Sequence, residues 1–158
     1  MWSLWVTVRL THPKATSRLP AFPMTAHIHG AFEVTLSAQP HVDSVGDPII
    51  ARMSLDKLFH GDLEATSKGQ MLASSSPEVK GSAGYVAMER VDGTLQGKRG
   101  TFVLQHSSTM TRGVPVQSIT VVPDTGTGDL RGLSGHMTIT IVEKKHYYDF
   151  AFEFNQAP

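Results

Sequence analysis

No cysteine occurs anywhere in the 158 residues. That excludes disulfides, thiolate nucleophiles and Cys-ligated zinc or iron–sulfur centres, and it fits a reducing, cytoplasmic compartment. Neither sign of charge is in excess, because 14 Lys and Arg balance 14 Asp and Glu. With no basic field, neither nucleic acid nor a membrane is expected as a partner. Long apolar runs are also missing. The apolar stretch at residues 1–8 has no preceding positive charge and is too short to span a bilayer, so it reads as neither signal peptide nor anchor. Helical periodicity is absent from every stretch of ten or more residues.

What is present is a turn-rich globular composition: 40% hydrophobic residues, 18% charged residues, 14 Gly and 9 Pro. The length suits one domain with one core. Residues 1–23 turn into a Pro, Ser and basic segment and read as a poorly ordered N-terminal extension. A single domain over 24–158 follows. Within it, AHIHGAFEVTLSA (26–38) alternates Phe32, Val34 and Leu36 with Glu33, Thr35 and Ser37, the mark of a half-buried strand. Ile49, Ala51, Met53 and Leu55 alternate in a second strand that continues towards Phe59. The stretch 63–73 is a weaker third, with Gly69 marking a bulge or a barrel corner.

The centre of the chain is GSAGYVAMERVDGTLQGKRGTFVLQHSSTMT (81–111), two long strands around a glycine-rich turn. Asp92-Gly93 is a hairpin signal, since glycine reaches the positive φ of tight turns. Glu89 and His106 fall in register with Tyr85, Ala87, Val91, Phe102 and Leu104, on what should be the buried face. Three further strands follow at 114–122, around Met137–Ile141, and in HYYDFAFEF, where Tyr148, Phe150, Phe152 and Phe154 share a face. Eight antiparallel strands form either a sandwich or a closed barrel. Short consecutive connections suit meander order, and closure removes exposed edges, so an all-β eight-stranded barrel is expected. Its interior has room for side chains or one small ligand.

FHGDLEATSKGQ, YVAMERVDGTLQGKRGTFVLQH and VVPDTGTGDLRGLSG, in that order, resemble small bacterial proteins grouped as domain of unknown function 3224. The resemblance covers about residues 30 to 154. It implies a calycin-like barrel similar to that of allene oxide cyclase, packed as a homo-oligomer, a dimer or higher. It brings no activity and no catalytic residues.

Candidate pocket residues are Tyr85, Glu89, Phe102, His106 and Tyr148. Centring the hairpin at Leu95-Gln96 sets Tyr85 opposite His106 and Glu89 opposite Phe102. Glu89 then stands on the order of 13 Å from His106, too far for a hydrogen bond, though a register shifted towards Lys98 brings them closer. Glu89 and His106 thus read as two polar points of one pocket. The competing and stronger reading pairs Glu89 with Lys68 or Arg52 and leaves His106 hydrogen-bonded in a packed core. His27, His29 and Glu33 give half of a cupin-like metal pattern, but the second half is missing, and no metal or cofactor is expected. The glycines of 125–135 are turn formers without a P-loop, and no nucleophile elbow surrounds any serine. A binding module for a small apolar or amphipathic molecule is the first functional reading. A cyclase- or isomerase-like enzyme using the same cup is the second, and a filled oligomeric barrel without internal ligand the third.

Overall fold

Alternating side chains close into a cylinder. The structure, a computed structural model, describes residues 25–40, 46–47 and 49–155, so the expected extension at 1–23 lies outside the described residues. The strands are β1 (Ala26–Ala38), β2 (Ala51–Phe59), β3 (Leu63–Ser75), β4 (Ala83–Leu95), β5 (Lys98–Thr111), β6 (Val114–Val121), β7 (Leu133–Val142) and β8 (Lys145–Phe154). Each pairs antiparallel with its successor, and β1 pairs with β8, giving a closed barrel in meander order. The helical content of the described residues is one 3₁₀ turn, Gly128–Leu130. No helix among them is long and apolar enough to cross a membrane.

The expected hairpin geometry needs correction. Asp92 and Gly93 lie inside β4, opposite Thr101 and Gly100, and the turn is Gln96-Gly97. Both turn residues have positive φ, 45° and 80°, which matches the twist of a two-residue hairpin. Gly93 serves packing instead: a Cβ there would run into the Glu64 carbonyl and Ala65 on β3. The turn moves the register by two residues, so Tyr85 faces Ser108, Ala87 faces His106 and Glu89 faces Leu104. Gly69 is a corner and not a bulge. The β3–β4 ladder runs through it unbroken, while a Cβ would come within 2.5 Å of the Met88 carbonyl oxygen.

One end of the barrel is plugged. Phe59, Leu63, Leu95, Phe102, Leu130, Leu133, Tyr148 and Phe150 are buried there. Phe59 meets Tyr148 edge-on at 5.7 Å, and Phe102 stacks on Phe150 at 6.0 Å. The 3₁₀ turn brings Leu130 over this end. At the other end the inward positions of β3, β4 and β5 are Met71, Ala73, Ala83, Tyr85, Ser108 and Met110, none of them fully buried.

Candidate functional site

A polar cluster sits between plug and opening. β2 turns Leu55, Lys57 and Phe59 inward, β3 turns Leu63, Ala65 and Ser67, β4 turns Ala87, Glu89 and Val91, and β5 turns Phe102, Leu104 and His106. The Glu89 carboxylate is the hub. Lys57 Nζ donates to Oε2 at 2.7 Å, and Ser67 Oγ donates to Oε1 at 2.6 Å. His106 Nε2 stands 2.8 Å from Oε2, off the direction of an aligned ring N–H bond, so it acts as a close polar neighbour. The Lys57 ammonium also lies 5.0 Å from the Phe32 ring centroid and 5.5 Å from that of Phe59.

Glu89 is fully buried, and burial works to lift its carboxyl. The His106 contact and the Lys57 charge outweigh that and hold it at about 2. Burial pulls the Lys57 ammonium below its ordinary value, with Glu89 opposing. A carboxylate so stabilised is a weak base. Serine, carboxylate and histidine do meet here, but the acid stands between the other two. Ser67 donates to Glu89 and not to an imidazole, so no nucleophile is activated.

Above the cluster lies an open alcove of about 270 Å³, lined by residues that include Met71, Ala73, Ala83, Tyr85, Ser108 and Met110. Tyr85 is half-buried, and burial raises its hydroxyl, with Gln117 opposing and Glu89 adding to the rise. A larger trough, about 800 Å³, runs along the outside of β2 to β5.

The residues matched by the family model described as Protein of unknown function (DUF3224) are 28–152. The chain belongs to the DUF3224 family. A crystal structure of a DUF3224 protein of unknown function from Shewanella oneidensis MR-1 is similar to it. That protein shares 43% identity, with a TM-score of 0.76, and the alignment covers 84% of this chain and 99% of the other. Among curated proteins, none matches.

The structure of this DUF3224 chain distributes the five candidate residues over three places. Tyr85 lines the alcove. Glu89 and His106 meet in the cluster beneath it, in contact and not 13 Å apart, because of the shifted register. Phe102 belongs to the plug. Tyr148 does too, donating to the His60 carbonyl at 3.1 Å and accepting from Leu63 N at 3.3 Å. The ionic partner of Glu89 is Lys57, not Lys68 or Arg52. Lys57 and Ser67 escaped the sequence reading although each stands on its strand's apolar face, and that placement was the available signal. His27, His29 and Glu33 are on the barrel's outside, and no group of three or more His, Asp or Glu able to hold a metal occurs among the described residues.

Proposed function

We propose that this DUF3224 protein is a binding module whose alcove takes a small apolar molecule bearing one hydroxyl or carbonyl group. The observation that carries this reading is the uneven filling of the barrel. Aromatic rings and the Glu89 cluster occupy one end, while about 270 Å³ remains open at the other. Methionine and alanine supply an apolar, adaptable lining, and the Tyr85 and Ser108 hydroxyls are the polar points that would orient a ligand. The volume favours a ligand of one or two rings. Glu89, ionised and already held by Lys57 and Ser67, has little capacity to take a proton from such a guest, which supports binding over catalysis.

The probe of choice is 2-naphthol, apolar with a single hydroxyl, followed by its own fluorescence. Wild-type protein should bind it saturably. Ala73→Trp should fill the alcove and abolish binding, and Tyr85→Phe should weaken it by about fivefold, the loss of one hydrogen bond. Undiminished binding to a folded Ala73→Trp protein would sink the proposal.

A further inference from the structure

The outer trough carries chemistry that neither the fold nor the alcove uses. On the outside of the β3–β4 ladder, Leu72 faces Val86, Gln70 faces Met88, and Lys68 faces Arg90. Leu72, Val86 and Met88 remain 46%, 52% and 48% exposed. With Val103 on β5 they make one apolar strip, and Arg52 on β2 stands beside its end, opposite Leu72. Glu89 and His106 border the trough only from beneath, their side chains being buried.

Lys68 and Arg90 are like charges at directly opposed positions, an arrangement that destabilises an antiparallel pair. Two carboxylates relieve it in part. Asp56 on β2 stands directly opposite Lys68 across the β2–β3 ladder, without an ion-pair contact among the described residues. Asp92 reaches Arg90 at 3.5 Å, but it is held more closely by Arg99 at 2.7 Å. Arg52 likewise has no carboxylate within 4 Å among the described residues. A trough of about 800 Å³ with an apolar floor, Lys68 and Arg52 without an ion pair among the described residues and Arg90 sharing Asp92 with Arg99, is complementary to an anion with an apolar body.

We propose that the outer face of β2–β5 is a second binding site, taking a free amphipathic carboxylate, with its head on Lys68 and Arg90 and its chain along Met88, Val86 and Leu72. The site is independent of the alcove, and its test keeps the two apart. Decanoate, decanol and butyrate are titrated below micelle formation into ¹⁵N-labelled protein. Decanoate should shift amides of residues 68–72 and 86–90. Decanol and butyrate, each lacking one half of the recognition, should bind about tenfold more weakly or worse.

Lys68→Gln/Arg90→Gln should weaken decanoate by about tenfold while leaving 2-naphthol binding unchanged, and Ala73→Trp should leave decanoate untouched. In the absence of ligand, the charge variant should unfold at a higher temperature than wild type. Several results would overturn the proposal: decanoate binding unchanged in Lys68→Gln/Arg90→Gln, decanoate binding lost in Ala73→Trp, or a sedimentation dimer that buries this face against a second copy. Binding to phosphatidylglycerol vesicles with the same dependence on Lys68 and Arg90, and none to monomeric decanoate, would assign the face to a membrane surface instead.

Discussion

Glu89 shows how one side chain can be both costly and necessary. A lone carboxylate in a barrel core is strongly unfavourable, and here Lys57, Ser67 and His106 compensate it. Glu89→Gln removes the charge and leaves the Lys57 ammonium buried against two phenylalanines. Urea unfolding should register a loss of about 3–5 kcal/mol. Lys57→Met/Glu89→Gln should recover much of that, since no unpaired charge remains; a double variant as unstable as the sum of the single ones would contradict the pairing. The pH dependence follows with its sign. The folded carboxyl sits at about 2 against an ordinary 4.5, so its stabilisation is fully present above about pH 4.5 and is lost as pH falls towards 2. The drop corresponds to about 3 kcal/mol, and Glu89→Gln should lack this part of the acid unfolding curve. The sequence disclosed that Glu89 and His106 are inward, because alternation alone decides which face a strand residue takes. It did not disclose that they touch, because contact depends on register, and register here hangs on whether the turn is centred at Leu95-Gln96 or, as the fold has it, at Gln96-Gly97.

At the scale of the strand, two glycines in one hairpin answer to different physics. Gly97 has a φ of 80° and nothing within 4 Å of an added Cβ, so Gly97→Ala meets only backbone strain, about 1 kcal/mol. Gly93 is in extended backbone, but its Cβ would overlap Glu64 and Ala65 on β3. Gly93→Ala should cost more, about 1–3 kcal/mol of overpacking, and should also disturb the β3–β4 amides in an NMR spectrum. Equal costs with no spectral change at β3 would refute the assignment. Gln96, at φ 45°, offers the converse: Gln96→Asn places a residue suited to that turn and should raise stability by about 0.5 kcal/mol. From the sequence, Asp92-Gly93 is the stronger turn signal of the two Gly-containing pairs. Only the neighbouring strand, brought in by the fold, makes one of them a packing position.

The barrel as a whole is closed unequally. β6 pairs with β5 along the whole of its own length and β7 with β8 from end to end, but β6 and β7 share only Ile119↔Met137 and Thr120↔His136. Beyond these the two strands part. Gln117 Oε1 accepts from Ile139 N at 3.0 Å, a side chain substituting for an absent ladder carbonyl. Val114, Val116, Ile141 and Val142 are more than half exposed along the gap. Pro115, which has no N–H to give, stands in the part of β6 that faces it, the placement expected of an edge strand. Gln117 also acts on the Tyr85 hydroxyl, so the seam and the alcove share a residue. Local opening should therefore start here, where the fewest backbone hydrogen bonds must break. Hydrogen exchange followed by mass spectrometry should find peptides from 114–117 and 138–142 exchanging about tenfold or more faster than those of the β3–β4 ladder. Gln117→Leu should extend the fast region through Ile119 and Thr120, the last rungs holding the seam, while β3 and β4 stay protected. Uniform protection around the barrel would mean that the cylinder opens only by unfolding globally. The seam would then have no part in admitting a ligand to the alcove.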